Sequence, residues 1–560
     1  MKKLIALLLC LIMVVSVFAG CGKKETKKQS DGTLTIGFPK SSLVTDYYNN
    51  YYTQWLQEKT GLKLEFQFFA AAAQDYKSQL STMVAGKQQL PDILFGFGLG
   101  ADLYERYGMD GEFVDLAPYF NDKEGVAKEW WARFGQLSEE SQKNIWRRMQ
   151  SADGTGRIFA FPEIQESLID IMDYQVWINQ DWLDRLGLEM PTDRDSFLAV
   201  LKEFRDKDAN GNGDPNDEYP MVGTNGQLSG QTLHWLINMF IYEDRNIMWN
   251  VDENGKLYSP YTQDEYRDAL KFIHMLYEEK LMSPLTLTAK SNELQQMVTP
   301  ANGGVQTAGV VCGHITLCFV QDDPGLLKYQ PLPLWGNAIF HEDTNNYTTF
   351  ITKTCKERGN LENAWKLLMV MASEESSIIQ RYGKQGTPEE GGSWTYAPEG
   401  ATSVMGTDAV IRLYNDTWST MGNDNWRNVE ATILFNAEGE GNQEVDANSE
   451  GEVRLHKYKL FKTARAAYLK QIEEYNPDAK LICPLLVWPE KYKAEVPLAR
   501  EDCKSYISKA RTDFITGAKG FDIDVDADWQ KYLDQLNKLG FEDWQFYSQE
   551  IYNETIAAAG

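Results

Sequence analysis

The first folded stretch of the chain alternates strand-like and helix-like patterns, and this alternation restricts the fold more than any other feature. The patterns predict, in order, a strand over 33–38, a helix over 46–61, a strand over 62–69, a helix over "DYKSQLSTMVAGKQQ" and a strand over 91–98. A β-α-β-α-β order predicts a mostly parallel sheet covered by helices. Because ligands of such sheets sit beyond the carboxyl ends of the strands, we expect a site near Pro39–Thr45 and Gly96–Gly100.

A second unit with the same alternation begins after "GRIFAFPE" at 156–163. "LIDIMDYQVWIN" predicts a strand, and "QDWLDRLGL" at 180–188 predicts a helix that Gly187 helps to end. A longer helix opens near Pro191 and Thr192. Its apolar residues, close to helical spacing, are Phe197, Leu198, Leu201 and Phe204. The folded body of about 530 residues is long enough for two or more lobes with separate cores.

The N-terminus predicts export and anchoring. It carries two lysines, an apolar run from Leu4 to Phe18 and small residues just before Cys21. This pattern is typical of a secretory signal peptide, here 1–20, and the run is too short for a comfortable membrane span. The residues before Cys21 are similar to a bacterial lipobox, which implies cleavage there and lipidation of the thiol; a plain secreted protein is the alternative. Residues 21–32 then form a polar, flexible tether, which places the protein on the extracellular face of the cell membrane.

Charge and cysteine content argue against several classes of function. The formal net charge is −26 at pH 7, and an acidic chain of this kind is not expected to bind nucleic acid. The cysteines that follow Cys21 are Cys312, Cys318, Cys355, Cys483 and Cys503. This odd, scattered set predicts neither a disulfide framework nor a zinc site. With only five histidines, transition-metal chemistry is not expected either.

The order of motifs along the chain resembles a known family. The motifs are "PDILFGFG" (91–98), "YGMDGEFVDLAPYF" (107–120), "DGTGRIFAFPE" (153–163) and "WINQDWLDRLGLEMPTDRDSFLAVLKEFRDKDANGNGDPNDEYP" (177–220), followed by helical segments at 259–284, 364–386 and 513–554. The ordered set is similar to the family 1 extracellular solute-binding proteins of ABC importers. Within that family it is most similar to the long lipoproteins of Gram-positive bacteria, which are related to oligosaccharide- and alginate-binding proteins.

The resemblance implies an α/β fold of the two-lobed, periplasmic-binding-protein type (class II), with a hinge and an interlobe cleft. Lobe 1 is expected to comprise 33–163 and about 350–400, and lobe 2 to comprise 164–349 and about 401–560. The chain should cross between the lobes near Pro162–Ser167 and return near Tyr347–Ile351. A cleft that closes on its solute suits a transport receptor, because a membrane partner can detect the relative motion of the lobes.

The acidic stretch "DKDANGNGDPNDEYP" at 206–220 is a candidate metal site in lobe 2. Calcium takes about six to eight oxygen ligands, and alternate residues of a tight loop can supply them. Counting from Asp206 gives an EF-hand-like spacing, whereas counting from Asp208 resembles the calcium loop of alginate-oligosaccharide-binding relatives. The expected ligands of this structural calcium, in loop 206–218, are Asp208, Asn210, Asn212, Asp214, Asp217 and Glu218. A solvated run of turns is the alternative, and whether Asp217 or Glu218 closes the site stays open.

Solute contacts are expected at strand ends and on aromatic side chains, since sugar sites combine flat aromatic faces with a few placed polar groups. The position of each residue in the motif order implies the ligand-binding set, which is Phe97, Gly98, Glu163, Trp235, His314, Trp335, Trp394 and Trp426. Each has a structural alternative. The tryptophans, above all Trp235, can belong to the core, and His314 and Glu163 can be satisfied locally.

The resulting hypothesis is a monomeric, membrane-anchored binding protein, not an enzyme, that captures a carbohydrate, in particular an oligosaccharide, for an ABC permease. A secreted glycoside hydrolase is the alternative from another class and would need two suitably spaced carboxylates. The 81 acidic residues make such pairs uninformative, and no G-x-S-x-G motif of a serine hydrolase occurs. A sensor or adhesin lipoprotein of the same fold is the third possibility.

Overall fold

The computed structural model describes residues 31–560 apart from short gaps. The gaps are 152–153, 167–171, 173, 228–229, 245–246, 300–303, 320–322, 339–343, 404–407, 416, 418–420, 429, 436–442, 445–450, 476–482, 484–485, 487–496 and 560. The predicted signal peptide, Cys21 and most of the tether lie outside the described residues. Within the described part, no helix is both long and apolar enough to span a bilayer.

Strands and helices alternate along the chain. The strands are β1 (Thr33–Pro39), β2 (Lys63–Phe69), β3 (Ile93–Leu94), β4 (Phe161–Gln165), β5 (Val176–Asn179), β6 (Tyr219–Gly223), β7 (Asn225–Gln227), β8 (Gly230–Gln231), β9 (Asn250–Val251), β10 (Leu257–Tyr258), β11 (Ala308–Cys312), β12 (Tyr329–Pro331), β13 (Thr344–Ile351), β14 (Trp394–Tyr396), β15 (Ile411–Leu413), β16 (Ile433–Leu434) and β17 (Gln443–Glu444). The α-helices span Tyr51–Thr60, Ala73–Ala85, Ala101–Met109, Ala117–Phe120, Lys128–Phe134, Glu139–Met149, Gln180–Leu186, Arg194–Asp206, Thr232–Asn238, Asp264–Glu278, Ser291–Val298, Ile315–Cys318, Lys353–Glu357, Leu361–Met371, Glu374–Tyr382, Gly451–Tyr475, Pro497–Ile515, Asp526–Lys538 and Phe541–Ala559.

The first sheet has six strands in the order β16-β4-β13-β3-β1-β2. β1 pairs in parallel with β2, with Thr33 opposite Lys63, and in parallel with β3, with Ile36 opposite Ile93. β13 runs antiparallel to both β3 and β4. The predicted strand–helix alternation and its parallel pairing are therefore confirmed for the first part of the chain, and a later segment adds the antiparallel strand.

Local capping decides where the first helix begins. The pattern predicts a start at residue 46, but the helix spans Tyr51–Thr60. The Asp46 side chain instead accepts two backbone N–H bonds, at 2.9 and 3.1 Å, and forms a turn. Asn50 then caps the helix by accepting the N–H of Tyr52 at 3.0 Å. Gly61 ends it with φ 67°, in the left-handed region that glycine adopts most readily.

The second sheet has four strands in the order β12-β5-β11-β6. β11 runs parallel to β6, with Cys312 opposite Gly223, and antiparallel to β5, with Cys312 opposite Val176. The strand predicted over "LIDIMDYQVWIN" is confirmed as β5, which covers only its last residues. The predicted longer helix is also present at Arg194–Asp206, and its cap is Asp193, which accepts the N–H of Ser196 at 2.8 Å.

Each sheet carries its own apolar core. The core of the first sheet draws residues from 34 to 164 and again from 351 to 435, whereas the core of the second draws them from 172 to 338 and from 468 to 552. These two bodies, lobe 1 and lobe 2, form the two-lobed α/β fold that the resemblance implies. Ile411, Trp426 and Ile433 pack in the core of lobe 1, and Ile433 pairs with Ile164 of β4. Lobe 1 therefore extends beyond the boundary near residue 400 expected from the sequence.

A buried ion network fixes the C-terminal helices onto lobe 2. Glu243 lies within hydrogen-bond distance of His234, 2.5 Å from Oε2 to Nδ1, and its Oε1 lies 3.7 Å from Nη1 of Arg511. All three side chains are at least nine-tenths buried. Arg511 belongs to the helix Pro497–Ile515, so this network ties a late helix to an early segment of the same lobe. Breaking one partner would leave a buried charge without compensation.

The chain passes between the lobes at two points beside the sheets. β4 ends at Gln165 in lobe 1, and β5 begins at Val176 in lobe 2. The return lies between Ala338, which packs in the core of lobe 2, and Thr344, the first residue of β13. Residues 167–171 and 339–343, between these ends, lie outside the described residues, so the crossings expected near Pro162–Ser167 and Tyr347–Ile351 stay predictions.

Candidate functional site

The strand ends next to the two crossings lie at one edge of each sheet. β5 starts at Val176 just after the first crossing, and Cys312, the last residue of β11, lies opposite it. In lobe 1, Gln165 at the end of β4 lies opposite Thr344 at the start of β13. In each lobe the carboxyl ends of the parallel strands therefore lie at the edge of the sheet next to the crossings, which is where the strand order predicts a ligand site.

A buried carboxylate, Glu430, organises the lobe 1 wall of the cleft. Its Oε2 accepts hydrogen bonds from the hydroxyl groups of Thr348 and Thr349, the second at 3.2 Å. Its backbone N–H donates to Oε1 of Gln380 at 2.9 Å. Burial raises the pKa of Glu430 to about 7, although bonds from the two threonines and from the backbone of Gly96 favour the charged form. This carboxylate can therefore change its protonation near neutral pH.

The glycines after β3 let their loop lie close to the Glu430 segment. Gly96 has φ 77°, and a Cβ at this position would lie 2.5 Å from Nδ2 of Asn428. Gly98 is exposed, and its backbone N–H donates to the hydroxyl of Tyr76 at 3.0 Å. The predicted placement of this loop at a strand end agrees with the structure, and the role of Gly98 in ligand binding stays a prediction.

Phe97, from the same loop, does not face the cleft. Its side chain is fully buried, with its ring centroid 4.9 Å from that of Phe69 and 5.1 Å from that of Tyr76. The prediction of a ligand contact is therefore wrong for this side chain, because its ring packs into the apolar cluster that contains Phe69 and Tyr76. Glu163 lies inside β4, is 8% exposed, and its Oε2 accepts a hydrogen bond from Nδ2 of Asn346 at 3.2 Å.

The lobe 2 wall is built where three segments meet at the start of β5. Gln175 precedes β5; its backbone oxygen accepts the N–H of Gly313 at 2.9 Å, and its Oε1 accepts the N–H of Ile315 at 3.1 Å. His314 lies between these two partners and is 5% exposed. The structure thus places His314 at the strand tip where the resemblance implies it, and its contact with solute stays a prediction.

The third segment of this wall follows β12 and contains Trp335. The N–H of Leu332 donates to the backbone oxygen of Val176 at 2.9 Å, and the hydroxyl of Tyr174 donates to the backbone oxygen of Asn337 at 2.7 Å. Trp335 lies between these two hydrogen-bonded segments, and its ring packs in the core of lobe 2 against Phe197, with 5.6 Å between ring centroids. It is 8% exposed, and its role as a ligand contact also stays a prediction.

Three other tryptophans predicted to contact ligand belong to the cores. Trp235 is fully buried beside Phe197, with 5.6 Å between ring centroids. Trp394 is fully buried, and its Nε1 donates to the backbone oxygen of Gly383 at 2.9 Å. Trp426 is 1% exposed, and its Nε1 donates to a threonine hydroxyl at 2.8 Å. The predicted stacking on solute is wrong for these rings, because a fully covered face cannot meet a sugar; polar loop sequence did not reveal how deeply they pack.

The acidic loop folds around the side chain of Asp208. Its Oδ1 accepts the N–H groups of Gly211 and Asn212, at 2.7 and 3.0 Å, and its Oδ2 accepts that of Gly213 at 2.8 Å. The carboxylate of Asp206 does not contribute to this loop. It forms a bidentate ion pair with the guanidinium of Arg205, with Nε 2.7 Å from Oδ1 and Nη2 3.0 Å from Oδ2. Of the two spacings open in the sequence, the structure therefore builds the loop on the one that begins at Asp208.

The other predicted ligands of this loop converge on Asp217 and Glu218. The side-chain amides of Asn210 and Asn212 donate to the two oxygens of Asp217, at 2.8 and 2.6 Å. Oε1 of Glu218 accepts the backbone N–H of Asn210 at 3.3 Å, whereas its buried Oε2 has no partner among the described residues. Burial raises the pKa of Glu218. Asp214 instead bonds locally, accepting the N–H of Asn216 at 3.1 Å.

The described residues contain no group of three or more His, Cys, Asp or Glu side chains arranged to hold a metal ion. The four acidic side chains of the loop instead make the separate hydrogen bonds described above and do not form such a group. A metal there would be held by amide, carboxylate and backbone oxygens together, which is the ligand chemistry that calcium accepts.

Two polar residues of the cleft walls, Gln175 and Glu430, were not predicted from the sequence. Gln175 carries no motif, and its position depends on segments about 140 and 160 residues away. Glu430 offers a weak local signal, since a single acidic residue stands just before the apolar run of β16. Neither signal separates such residues from the many other polar residues of an acidic chain.

Comparison with known families gives a direct match. Residues 41–378, more than half of the chain, match the family described as bacterial extracellular solute-binding protein. The chain is 27% identical to the lipoprotein LipO of Bacillus subtilis, over 96% of this chain and 98% of LipO. It is 22% identical to the fructooligosaccharide ABC transporter substrate-binding protein FusA of Streptococcus pneumoniae, over 96% of each chain.

Solved structures of solute-binding proteins share the fold. An EF-hand mutant of S. pneumoniae FusA in complex with fructo-nystose has a TM-score of 0.68 at 19% identity, covering 94% of this chain and 100% of that one. An HMO-binding, ABC-transporter-associated solute-binding protein of Bifidobacterium longum infantis has a TM-score of 0.69 at 19% identity, and the alginate-binding protein AlgQ2 without calcium has 0.61 at 19%; each match covers 93% of this chain and 98% of the other. With its two lobes and the family match across both, the chain belongs to the bacterial extracellular solute-binding proteins.

Proposed function

We propose that this protein captures an oligosaccharide outside the cell and delivers it to an ABC importer. The observation that carries the proposal is the similarity to FusA, a fructooligosaccharide-binding transport protein, along 96% of both chains. The fold supports it, because the neighbours with a TM-score above 0.6 include proteins that bind fructooligosaccharide, HMO or alginate. The partners are then a carbohydrate in the cleft and the permease subunits in the membrane, with the protein acting as a monomer.

The cleft walls offer the chemistry that such a ligand needs. Lobe 1 contributes a glycine loop held by Glu430, and lobe 2 contributes the amide of Gln175 and the indole of Trp335. A few placed polar groups on an otherwise apolar wall suit the hydroxyl and ether oxygens of a sugar. Closure of the lobes around the two crossings would bring both walls onto the same ligand, and the permease would recognise the closed form.

Anchoring follows from the N-terminal sequence. The lipobox-like residues before Cys21 support a lipidated thiol, and acyl chains on this residue would hold the protein on the extracellular face of the membrane. The following residues are polar and basic as far as Ser30. A tether of this composition would leave the two lobes free to reach a permease in the same membrane.

A calcium ion in loop 206–218 fits the residues of the loop. Oε2 of Glu218 is buried without a partner among the described residues, and the side-chain amides of Asn210 and Asn212 donate to the carboxylate of Asp217. The residues that would hold the ion are Asp208, Asn210, Asn212, Asp214, Asp217 and Glu218. When bound, the cation would offset the repulsion between these carboxylates, which gives it a structural role in lobe 2. Relatives support this site, since a solved structure of FusA is described as an EF-hand mutant.

A thermal-shift screen of the purified lipid-free chain tests the transport proposal. The panel contains fructooligosaccharides, human milk oligosaccharides, N-glycans, alginate oligosaccharides and monosaccharides. A true ligand at a hundredfold excess over its Kd stabilises the folded protein by about 2.7 kcal/mol, which raises the melting temperature. Release of shorter sugars from any member of the panel would instead support the hydrolase alternative. A flat response to the whole panel would overturn carbohydrate capture.

A further inference from the structure

The buried ion network of lobe 2 has donor and acceptor roles that the chemistry of its side chains decides. We call it the buried triad and define it by His234, Glu243 and Arg511. Nη1 of Arg511 lies 3.5 Å from Nε2 of His234, and a guanidinium can only donate. Nε2 of His234 is therefore the acceptor. The proton of the neutral imidazole then lies on Nδ1, which donates to Oε2 of Glu243 at 2.5 Å.

This arrangement leaves one acceptor and one donor of the buried triad unused. Oε1 of the Glu243 carboxylate can only accept, and it lies 3.7 Å from Nη1 of Arg511, beyond the distance of a good hydrogen bond. The Nε–H of the same guanidinium can only donate. Neither atom has a hydrogen-bond partner among the described residues, although Glu243 is fully buried and Arg511 is only 9% exposed.

The hydroxyl of Tyr266 is a third unused polar group in the same part of the core. Tyr266 is 1% exposed, and its ring packs edge-on against Tyr261 with 5.2 Å between centroids. Its hydroxyl also has no partner among the described residues. Burial raises the pKa of this hydroxyl, the charge of Arg511 lowers it and the charge of Glu243 raises it, so the hydroxyl lies within electrostatic reach of both members of the triad.

We infer that a buried water molecule bridges Arg511, Glu243 and Tyr266. The water accepts the Nε–H of Arg511 and donates one proton to Oε1 of Glu243, and its second proton or second lone pair pairs with the Tyr266 hydroxyl. Buried waters make about three hydrogen bonds to groups that are otherwise unpaired, and a single isolated donor cannot hold one. Without the water, each of the three groups would be buried at a cost in free energy.

The water would join segments of lobe 2 that are far apart in the sequence. Glu243 lies in an early loop of the lobe, Tyr266 belongs to the helix Asp264–Glu278, and Arg511 belongs to the late helix Pro497–Ile515. The late helix is therefore held by a polar contact as well as by apolar packing. This contact requires neither a sugar in the cleft nor a cation in the acidic loop, so the inference is independent of the proposed function.

The first test replaces Tyr266 with phenylalanine, which keeps the ring and removes only the hydroxyl. If the hydroxyl binds the water, its loss should lower the melting temperature of the purified lipid-free chain by about 2 °C, the amount expected for one lost hydrogen bond. Removal of an unpaired hydroxyl would instead leave the melting temperature unchanged or raise it. Tyr329→Phe is the matched control in the same lobe: its hydroxyl donates directly to the backbone oxygen of Ala308 at 2.6 Å, so it should lower the melting temperature in either case.

The second test is crystallographic and depends on no variant. A high-resolution structure of the lipid-free chain should show an ordered density peak about 2.7–3.2 Å from both Oε1 of Glu243 and Nε of Arg511. Well-defined density for these side chains without such a peak would overturn the inference. A Tyr266→Phe protein at least as stable as wild type, with Tyr329→Phe destabilised, would overturn it as well. Both results would leave the transport proposal standing.

Discussion

The two lobes present polar groups to the cleft in opposite ways. In lobe 1 the carboxylate of Glu430 accepts bonds from Thr348 and Thr349, so its acceptor capacity is used inside the lobe. In lobe 2 the amide of Gln175 and the indole of Trp335 are buried donors without acceptors among the described residues. Among the described residues, lobe 1 also buries polar atoms without a partner, Oη of Tyr347 and Oγ1 of Thr432, so the contrast is between Glu430 and the donors of Gln175 and Trp335 and not between whole lobes.

This difference separates two tasks that a closing receptor must perform. A wall whose hydrogen bonds are already made keeps its loops in position, and it gains little from new partners. A wall with unpaired buried donors gains most when an acceptor enters, because the desolvation of those donors has already taken place during folding. We therefore expect the residues bonded to Glu430 and the buried aromatic side chains of lobe 1 to govern stability rather than affinity.

The largest expected effect is on stability, from Trp426→Ala in lobe 1. The side chain is 1% exposed and packs edge-on against Phe38 and Tyr52, at 4.9 and 4.8 Å between ring centroids. Loss of a large buried aromatic side chain costs about 3–5 kcal/mol of unfolding free energy. Denaturant unfolding followed by circular dichroism measures this loss, and sugar affinity of the remaining folded protein should stay within about twofold.

The control for Trp426→Ala is Tyr48→Ala, at an aromatic residue of the same lobe that is 52% exposed. Its effect on stability should be under about 1 kcal/mol, since surface substitutions disturb few buried contacts. If Trp426→Ala instead weakened sugar binding strongly while the protein kept its stability, Trp426 would belong to the cleft after all. The division of tasks between the lobes would then be wrong for lobe 1.

A smaller stability effect is expected in lobe 2 when calcium is removed. Protein shown by metal analysis to contain calcium should lose about 2–3 kcal/mol when EDTA strips an ion that was present at about a hundredfold excess over its Kd. Asp208→Ala should abolish the response to EDTA, because three backbone N–H groups and the proposed ion all depend on this carboxylate. Differential scanning calorimetry with and without EDTA measures both.

Asp206→Ala is the matched control for the loop. Asp206 pairs with Arg205 and takes no part in the folding of the loop, so this variant should keep the full response to EDTA. A calcium-free purified protein that also fails to bind added calcium would contradict the site. Equal EDTA responses of Asp206→Ala and Asp208→Ala would contradict the spacing that begins at Asp208.

The acidic loop and the cleft residues also differ in how much of their structure could be predicted from the sequence. The alternating patterns predict β1, β2 and their helix because the periodicity of apolar residues is a local property. The loop at 206–218 is equally local, since all its expected ligands lie within a few residues of one another. Its two alternative spacings could not be separated, however, because the pairing of Asp206 with Arg205 becomes visible only in three dimensions.

The cleft residues were harder to predict because distant segments assemble them. Gln175 meets a segment about 140 residues later, and no pattern near Gln175 indicates that contact. Trp394 and Trp426 lie in polar, glycine-rich sequence typical of exposed loops, yet each donates its N–H to a buried partner and packs in the core. A tryptophan in such a loop can therefore pack into the nearest apolar core even though its neighbours along the chain are polar.

The smallest expected effect is a pH-dependent one at Glu430, and it tests whether the lobe 1 wall is satisfied as described. Burial raises the pKa of Glu430 from its ordinary value of 4.5 to about 7. A carboxyl group with a raised pKa contributes its full stability below pH 4.5 and loses it as the pH rises through 7. Glu430→Gln stays neutral, so its stability relative to wild type should rise by about 1–2 kcal/mol between pH 5 and pH 8. Melting curves across this range measure the difference, with Glu65→Gln as the control at a partly exposed carboxylate whose pKa the hydrogen bond from Lys63 lowers. If the stability difference between Glu430→Gln and wild type did not change between pH 5 and pH 8, the carboxylate would be charged over this whole range. Glu430 would then differ from the unpaired donors of lobe 2 in charge as well as in pairing.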